Sequence, residues 1–431
     1  MAQEEVKIGF LGCGVVGGGT IQILQDNRES IERKAGCRLE VKKVADVDWS
    51  RPRTVSVPPE KRTEDSWEVV RDPEISVVVE VIGGVKPAVD YVLEAINLGK
   101  NVVTSNKEMM AKEGARIMDA AAAKGVDICF EGAVGGGIPI IRPLKEGLAG
   151  NRIKQLIGIV NGTTNYILSQ MQQEGREFAE VLQEAKEKGY AEADPTNDIE
   201  GFDAAYKLAI LASIAFGSRI NVESVYHEGI SRVSAADMAY ATELGYVIKL
   251  LAIGADTDQG LELRVHPTLV PREHPIASVN DVFNAVWVRG DAVGDVMFYG
   301  RGAGALPTGS AVVGDIIDVA RNIRSGATGR VSCTCGPSVA PKSLDEIATE
   351  YYMRMQVADK PGVLAKIASV FGDEGVSIAS VVQKKTAGER AEIVWITHQV
   401  KERNVRKSLH RIERLDAVSA VSNWMRVLEV S

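Results

Sequence analysis

A glycine-rich turn near the start of the chain is the first feature suited to chemistry. The pattern Gly12-x-Gly14-x-x-Gly17 follows a short apolar run and opens a helical pattern. Missing side chains at such a turn let the backbone approach a pyrophosphate, and the helix that begins there offers unpaired N–H groups. The pattern therefore predicts a dinucleotide site. A tight turn without a ligand is the alternative, and the strand and helix alternation that follows favours the cofactor.

The charges that follow the second predicted strand leave the kind of dinucleotide open. Asp46 lies where an acidic residue would bind a ribose, although later than the usual spacing of about 20 residues. Lys42, Lys43, Arg51 and Arg53 are close in sequence and could equally hold a 2′-phosphate, or form a solvated charged face. The residues alone do not choose between NAD and NADP.

Two lysines stand at positions where a cation could act on a substrate. Lys107 follows a predicted strand and begins a helix, at the edge of the sheet where ligands collect. The helix dipole disfavours a cation there, and an exposed lysine tolerated at small cost is the alternative. Asp203 and Lys207 are four residues apart and share one face of a predicted helix. They are either a surface pair worth about 0.3–0.5 kcal/mol, which the spacing favours, or a lysine held to donate a proton to a carbonyl oxygen.

The elements that must position these residues alternate over the first third of the chain. Strands are predicted at 6–11, 39–44, 75–82, 101–104 and 126–130, with helices to about residue 34 and at 86–98 and 106–124. Such alternation predicts a Rossmann-like α/β fold with a doubly wound parallel sheet.

The pattern changes after residue 135. Helical runs, among them 139–148, surround a strand at 153–160, and strands separated by turn residues follow between 249 and 298. Residues 352–431 have the order strand, helix, strand, strand, helix, strand, which is that of a ferredoxin-like βαββαβ unit. We expect a nucleotide-binding domain at 1–135 with 308–325 packing back onto it, an α+β catalytic, substrate and dimerisation domain at 136–307, a linker at 326–350 and a small domain at 351–431.

Composition excludes several classes of partner. The 431 residues include 50 Lys and Arg against 58 Asp and Glu, and a net charge of −8 argues against nucleic acid. No apolar run approaches the roughly 20 residues that span a bilayer, so we expect no membrane partner. The acidic residues 1–5 differ from a secretory signal, and five scattered cysteines fit reduced thiols, so a cytoplasmic protein is expected. The close pair Cys333 and Cys335 is interpreted as incidental.

Six motifs, in order along residues 1–325, resemble homoserine dehydrogenase. They are Gly12-x-Gly14-Val15-Val16-Gly17, Thr104-Ser105-Asn106-Lys107, Glu131-Gly132-Ala133-Val134-Gly135-Gly136-Gly137-Ile138-Pro139, Asn161-Gly162-Thr163-Thr164-Asn165-Tyr166, Ala191-Glu192-x-Asp194-Pro195 and Asp203-x-x-x-Lys207. Residues 352–431, with Asp359-x-Pro361-Gly362 at a strand-to-helix turn, resemble a regulatory ACT domain. The resemblance implies reversible NAD(P)-dependent interconversion of L-homoserine and L-aspartate 4-semialdehyde, in the biosynthesis of threonine, methionine and isoleucine.

The resemblance also assigns roles to the charged residues. Lys207 would donate the proton to the aldehyde oxygen, and Lys107 would be a second cation beside nicotinamide and substrate. Glu192 and Asp203 would bind the substrate, with Glu192 as the partner of its ammonium group. Two carboxylates are chemically suited to a zwitterionic substrate that carries an ammonium group.

The resemblance also implies which residues contact the cofactor and a monovalent cation. The implied cofactor contacts are Gly12, Cys13, Gly14, Val15, Val16, Gly17, Lys107, Gly189 and Gly302. The implied monovalent-cation site, for an ion such as sodium, is Glu131 with the backbone carbonyls of Val134, Gly136 and Ile138. A flexible interdomain crossing is the alternative for this glycine run. Val47 stands where many relatives carry an arginine, which leaves coenzyme preference open and leans toward dual use or NAD.

The resemblance also implies regulation through the ACT domain, and two other functions are alternatives to the dehydrogenase. Threonine would be the feedback inhibitor, held between ACT domains of a homodimer or homotetramer, and a purely structural dimerisation domain is the alternative. Oxidation of an aldehyde through a thioester needs an activated cysteine, but Cys129 lies in an apolar strand and no histidine stands in a pairing motif. A non-catalytic sensor of nucleotide and amino acid is the alternative from another class.

Overall fold

The computed structural model describes residues 5–329, 335–385 and 390–429. Cys333 and residues 1–4, on which two expectations above depended, lie outside these ranges. The strands are β1 (Glu5–Leu11), β2 (Arg38–Ala45), β3 (Arg62–Thr63), β4 (Val77–Glu80), β5 (Asn101–Thr104), β6 (Ile128–Cys129), β7 (Ile153–Ile159), β8 (Tyr226–His227), β9 (Tyr246–Thr257), β10 (Gly260–Pro271), β11 (Phe283–Gly290), β12 (Gly294–Arg301), β13 (Ala348–Ala358), β14 (Ile378–Lys385), β15 (Arg390–Thr397), β16 (Val400–Lys401) and β17 (Val418–Val427). The α-helices are α1 (Val15–Asp26), α2 (Arg28–Ala35), α3 (Ser66–Arg71), α4 (Ala88–Asn97), α5 (Lys107–Lys124), α6 (Gly162–Glu174), α7 (Phe178–Glu187), α8 (Thr196–Ile199), α9 (Phe202–Ala215), α10 (Ala235–Glu243), α11 (Ala305–Ser325), α12 (Val363–Asp373) and α13 (Glu402–Ile412).

The chain divides into two compact units. Unit 1 comprises Met1–Leu156, Tyr206–Ser224 and Asn284–Val339. Unit 2 comprises Ile157–Ala205, Val225–Phe283 and Ala340–Ser431. Each unit is therefore assembled from three separate stretches of sequence.

Unit 1 is built on a six-stranded parallel sheet of order β3-β2-β1-β4-β5-β6. Strands β4 and β5 are buried along their whole length, as expected for a parallel sheet covered on both faces. The strand order reverses between β1 and β4, and ligands of such sheets bind at that switch point. The predicted doubly wound Rossmann-like sheet is confirmed.

Two predicted helices differ from those in the structure. The first helix was expected to run to about residue 34, but it ends at Asp26 and α2 begins at Arg28. Asn27 interrupts it, because a short amide side chain competes with the helical backbone and favours helix ends. The helix expected at 139–148 is mainly one π-helical turn, Pro143–Gly147, since prolines without an N–H cannot continue an α-helical ladder.

Helix α11 closes the core of unit 1 by packing closely against α1. Val312, Ile316 and Val319 of α11 lie in one apolar cluster with the residues of β1. A Cβ atom on Gly19 would lie 2.3 Å from the carbonyl oxygen of Ala305, so only glycine permits this approach.

Unit 2 contains a sheet in which the strand order is β9-β10-β17-β13-β15-β14. Strands β9 and β10 form a long antiparallel hairpin, and β10 pairs with β17 in parallel. The segment from β13 to β17 has the ferredoxin-like order, and α12 and α13 cover its apolar face around Trp395 and Phe371. The predicted βαββαβ domain is confirmed. Within the described ranges, no helix combines the length and the apolar character needed to cross a bilayer.

Candidate active site

The glycine turn between β1 and α1 presents open backbone at the switch point of the sheet. Gly12 has a left-handed φ of +101°, and its N–H donates to the carbonyl of Ala45 at 2.8 Å. A Cβ atom on Gly17 would lie 2.2 Å from the carbonyl oxygen of Gly12. Gly14 and Val15 are exposed at the first turn of α1. This arrangement suits a diphosphate at a helix N-terminus.

Asp46 lies beneath this turn and does not point to solvent. Its Oδ2 accepts from the N–H of Cys13 at 2.8 Å, and its Oδ1 accepts from Arg53 at 2.8 Å. Arg53 also donates to the Cys13 carbonyl at 2.7 Å. Burial alone would raise the pKa of Asp46, but these hydrogen bonds lower it. The pair of Asp46 and Arg53 therefore fixes the turn.

The remaining charges of this region are mostly engaged elsewhere. Lys42 and Lys43 form ion pairs with carboxylates in and just after α3. Arg51 is exposed and pairs with Asp48 at 2.9 Å. Val47 beside them is 84% exposed. The segment after β2 therefore exposes both Arg51 and Val47.

Lys107 is the first residue of α5, and a buried polar network fixes where that helix begins. Asn106 caps the helix by accepting from the N–H of Met109 at 3.0 Å, and its amide nitrogen donates to Glu80 at 3.4 Å. Thr104 donates to Glu80 at 2.6 Å. Burial raises the pKa of Glu80 in spite of these bonds. The sequence reasoning missed Glu80, although a carboxylate that ends an apolar strand was a visible signal.

Lys207 lies on α9 and is only 8% exposed, and Asp203 on the same helix is 2% exposed. The surface-pair alternative is therefore wrong for these two residues. In unit 1, Lys112 of α5 lies 5.3 Å from the ring centre of Tyr206 on α9. Helices α5 and α9 line one cavity of about 490 Å³, but neither Lys107 nor Lys207 is among its lining residues. This cavity therefore does not bring the two predicted lysines together.

In unit 2, one asparagine orients two carboxylates. Asn161 donates to Asp203 at 2.9 Å and to Asp198 at 2.7 Å, while its oxygen caps α6 at the N–H of Thr164. Glu192 lies exposed on the turn between α7 and α8. Asp203 is therefore fixed, whereas Glu192 faces solvent. The motif containing Asn161 was recognised, but this contact was not predicted.

A second network of unit 2 fixes the turn that contains Gly189. Tyr166 donates to Glu184 at 2.6 Å, and Lys188 donates to the Tyr166 hydroxyl at 3.0 Å. The donors Lys188 and Tyr166 are foremost in lowering the pKa of Glu184 to about 2. The ring of Tyr190 packs against that of Tyr166 at 4.8 Å between centres. Gly189, with φ of +73°, makes the left-handed turn between these anchors.

The glycine run after Glu131 forms a buried loop. The Glu131 carboxylate accepts three backbone N–H groups, those of Ile140, Ile141 and Arg142, at 2.6–2.8 Å. Ile138 donates its N–H to Gly135, but no backbone N–H of the described residues donates to the carbonyls of Val134 or Gly136. Buried carbonyls without a donor are suited to a hard cation.

Asn284 provides a further unsatisfied group beside this loop. A Cβ atom on Gly136 would lie 2.4 Å from the carbonyl oxygen of Gly302, and one on Gly302 would lie 2.0 Å from the amide nitrogen of Asn284. Both amide atoms of Asn284 are buried and lack a partner among the described residues. Neutral oxygens of this kind fit a monovalent cation. In the same ranges, no group of three or more His, Cys, Asp or Glu side chains could hold a metal.

Asp315 of α11 binds two residues of this loop, Glu131 and Arg142. It accepts from the N–H of Glu131 at 2.8 Å and from Arg142 at 3.1 Å, and burial raises its pKa to about 7. Burial and the charge of Asp315 also raise the pKa of Cys129 well above its usual value. An activated thiol needs the opposite shift, so the thioester reaction has no nucleophile at Cys129.

Models of three protein families match successive parts of the chain. The model described as homoserine dehydrogenase, NAD binding domain, matches residues 12–131. The model described as homoserine dehydrogenase matches residues 139–317, and the ACT domain model matches residues 351–416.

Full-length relatives agree with these models. A homoserine dehydrogenase of Synechocystis is 49% identical over 98% of this chain and 99% of its own, and that of Bacillus subtilis is 42% identical over 98% of each. The crystal structure of a homoserine dehydrogenase from Thiobacillus denitrificans has a TM-score of 0.94 and 46% identity, and covers 99% of this chain and 98% of its own. A hyperthermophilic archaeal homoserine dehydrogenase in complex with NADPH has a TM-score of 0.63 and 28% identity, and covers 73% of this chain and 97% of its own.

Proposed function

Since the chain belongs to the homoserine dehydrogenase family and is an NAD(P)-dependent oxidoreductase, we propose that it interconverts L-homoserine and L-aspartate 4-semialdehyde. The observation that carries the proposal is the burial of Asp203 and Lys207 on one helix. A lysine withdrawn from water can exchange a proton with a substrate oxygen, which a solvated surface lysine does poorly. Enzymatic relatives over the full length disfavour the sensor alternative.

In the proposed reaction, the nicotinamide coenzyme supplies the hydride for aldehyde reduction and accepts it in the reverse direction. Lys207 donates its proton to the aldehyde oxygen as the alcohol forms, and removes it in the reverse reaction. Lys107 stabilises the negative charge that develops on the same oxygen. The support is the burial of Lys207, which is only 8% exposed, and the position of Lys107 at the first turn of α5, where Asn106 caps the helix.

The substrate's amino group requires carboxylates, and we assign Glu192 and Asp203 to it. Glu192 is exposed and available, whereas Asp203 is oriented by Asn161 at 2.9 Å. A fixed and an adaptable carboxylate together would bind an ammonium group without blocking product release.

For the coenzyme, we propose that Gly12, Gly14 and Gly17 with Cys13, Val15 and Val16 receive the pyrophosphate. Gly189 and Gly302 complete the coenzyme contacts, and Lys107 lies beside the nicotinamide. Because Asp46 and Arg53 bind each other and the Cys13 backbone, neither is available to select the 2′-substituent, and we propose use of both NAD and NADP.

We also propose a monovalent cation such as sodium at the carbonyls of Val134, Gly136 and Ile138. The Glu131 carboxylate already accepts three N–H donors, so it contributes mainly the negative charge beside the loop. Such a cation would supply rigidity where the loop meets Gly302.

The biological setting follows from this chemistry. The enzyme would serve biosynthesis of threonine, methionine and isoleucine in the cytoplasm, as a homodimer or homotetramer. The ACT domain supports regulation by a small ligand, and we propose L-threonine as the feedback effector.

One assay tests the central proposal. Reduction of NAD and of NADP is measured with L-homoserine as the reductant, each with and without L-threonine. We expect homoserine-dependent reduction with both coenzymes and inhibition by L-threonine. Absence of homoserine-dependent reduction with either coenzyme would reject the proposed activity.

Substitution of Lys207 tests the assigned proton donor. Lys207→Ala should lower kcat by about 10²–10⁴-fold, the usual contribution of a general acid, and leave coenzyme affinity unchanged. Lys207→Arg keeps the charge, but its pKa is too high for proton exchange, so it should remain defective. Lys124→Ala, at the exposed end of α5, is the control and should behave as the wild type. Wild-type turnover in Lys207→Ala would remove the assigned role.

A further inference from the structure

Glu80 is a buried carboxylate of unit 1 to which the reaction above assigns no part. It ends β4, in register with Leu11 of β1 on one side and with Thr104 of β5 on the other. The glycine turn follows Leu11, and Thr104 precedes the start of α5, where Lys107 lies. Glu80 therefore lies between the two places to which the pyrophosphate and the nicotinamide of the coenzyme are assigned.

Four hydrogen bonds from described residues reach the side chain of Glu80, and all four are donated to it. Its Oε1 accepts from the N–H groups of Ile82 at 2.9 Å and Gly83 at 3.4 Å, and from the amide of Asn106 at 3.4 Å. Its Oε2 accepts from the hydroxyl of Thr104 at 2.6 Å. A protonated acid would have to donate in place of one of these bonds, so the set fits the ionised form, although burial raises the pKa of Glu80.

The other partners of Asn106 and Thr104 fix which atoms these two residues present to Glu80. The Asn106 oxygen accepts from the N–H of Met109 at 3.0 Å. The Asn106 nitrogen donates to the Gly84 carbonyl at 2.6 Å, so the nitrogen is also the atom that faces Glu80. The Thr104 hydroxyl accepts from the N–H of Asn106 at 3.0 Å and keeps its own proton for Glu80. In the described ranges no lysine or arginine pairs with Glu80, so neutral donors alone stabilise its charge.

The backbone that follows Glu80 lies against the glycine turn and reaches the surface at once. The N–H of Val81 donates to the Leu11 carbonyl at 2.9 Å, and a Cβ atom on Gly12 would lie 2.9 Å from the carbonyl oxygen of Val81. Ile82 and Gly83 are exposed, yet their N–H groups donate to Glu80. The carboxylate therefore lies directly beneath the exposed segment that borders the glycine turn.

The two redox states of the coenzyme differ in charge at the nicotinamide ring, which is a cation when oxidised and neutral when reduced. Aldehyde reduction moves a hydride, with both of its electrons, from the ring to the carbonyl carbon, while the proton from Lys207 goes to the oxygen. A fixed anion in a poorly solvated position stabilises the positive charge left on the ring.

We propose that Glu80 supplies a fixed negative charge to the coenzyme site and thereby favours binding of the oxidised coenzyme over the reduced one. Glu80 acts on the coenzyme through space, because its oxygens are already occupied by the four donors. The inference rests on the proposed placement of the nicotinamide beside Lys107, but not on the identity of the substrate.

Binding of NAD⁺ and NADH to Glu80→Gln tests the proposal without turnover. Glutamine keeps the shape of the side chain, since its oxygen can accept in place of Oε1 and its nitrogen can donate to the Thr104 hydroxyl. Calorimetric titration of the full-length wild type and variant gives the Kd of each coenzyme. We expect the ratio of the Kd of NAD⁺ to that of NADH to rise by about 10-fold in the variant. Equal weakening of both coenzymes would show a merely structural role and overturn the proposal.

Glu108→Gln is the matched control, because it also removes one carboxylate near the start of α5. Glu108 pairs with Lys112 at 2.8 Å, and its side chain is 32% exposed, so solvent and the lysine screen its charge. The ratio of the two Kd values should stay as in the wild type. A rise equal to that of Glu80→Gln would mean that burial of the charge is irrelevant, contrary to the proposal.

A second variant decides the question if circular dichroism shows that Glu80→Gln does not fold. Thr104→Val leaves the carboxylate in place but removes the donor to its Oε2, which favours protonation of Glu80. The ratio of the two Kd values should rise by about 3-fold. An unchanged ratio in this variant would overturn the proposal.

Failure of the proposed reaction would be distinguishable from failure of this inference. If the wild type binds both coenzymes but does not oxidise homoserine, the proposed reaction fails, while the ratio of the two Kd values still decides the role of Glu80. If the wild type oxidises homoserine and Glu80→Gln has the wild-type ratio, the reaction stands and the role of Glu80 is rejected.

Discussion

The two units hold their charged groups in different ways. In unit 1, the buried carboxylates of Glu131 and Glu80 are held by backbone N–H groups and neutral side chains. In unit 2, three buried carboxylates are held by arginines: Arg354 pairs with Asp237 and Glu392, and Arg426 pairs with Glu402. Unit 1 also relies on close backbone contacts at glycines.

This difference has a consequence for substitutions. Backbone donors cannot be removed by mutation, so unit 1 should be sensitive to added volume at its glycines. Arginines can be removed, and a carboxylate left behind in the interior is costly. Unit 2 should therefore be sensitive to loss of charge.

The largest effect is expected for Arg426→Met in unit 2. The substitution leaves Glu402, which is fully buried, with Arg406 as its remaining cation, and should lower the free energy of unfolding by about 3 kcal/mol. Urea titration measures the loss. Arg411→Met is the control, because its pairs with Asp373 and Glu374 are exposed and should be worth less than about 0.5 kcal/mol. Equal losses in the two variants would contradict the assigned role of burial.

The second effect concerns Asp315, a carboxylate of unit 1 that burial strongly disfavours in its charged form. Burial raises the pKa of Asp315 from 3.8 to about 7, and the nearby Glu131 and Asp318 add to the rise while Arg142 opposes it. The folded protein thus binds this proton more tightly than the unfolded chain, so stability is lost as the pH rises from about 4 to about 7.

Asp315→Asn removes this titration. Between pH 5 and pH 8, the stability of the variant relative to the wild type should improve by about 2 kcal/mol. Unfolding free energies measured at both pH values check the shift. Parallel pH profiles for the two proteins would show that Asp315 does not titrate in this range.

The sequence predicted the elements whose signals are local. The strand at 101–104 has the predicted bounds, and the helix predicted at 106–124 begins only one residue later, because apolar runs and helical spacing are properties of neighbouring residues. The glycine turn was likewise recognisable from its spacing. The break at Asn27 was not predicted, since apolar residues continue at helical spacing on both sides of it.

Contacts between distant residues could not be predicted in this way. Arg426 and Glu228 are 198 positions apart, and Asn161 and Asp203 are 42 apart. Spacing placed Asp203 and Lys207 on one helix face but could not show that the face is buried. The inward turn of Asp46 was missed for the same reason, because its partner Cys13 lies in another element.

The third effect tests the close backbone contacts of unit 1. Gly19→Ala would place a Cβ atom 2.3 Å from the Ala305 carbonyl oxygen and force α1 and α11 apart, at a cost of about 1–2 kcal/mol. Gly314→Ala on α11 is the matched control, because its Cβ atom would meet no atom within 4 Å and alanine favours a helix by up to about 1 kcal/mol. Thermal unfolding should therefore move in opposite directions for the two variants, and a shared direction would refute the contact.

The smallest effect concerns two neutral side chains, Tyr352 and Thr104, each of which donates a hydrogen bond to a buried carboxylate. Tyr352 donates to Asp237 at 3.1 Å, but Asp237 keeps Arg354 at 2.8 Å and Asn423 at 2.9 Å, so Tyr352→Phe should cost only about 0.5–1 kcal/mol. Thr104→Val in unit 1 removes one donor from Glu80, which has no cationic partner among the described residues, and should cost more. Urea titration of both variants measures the difference. A larger loss for Tyr352→Phe would show that arginine does not protect the carboxylates of unit 2.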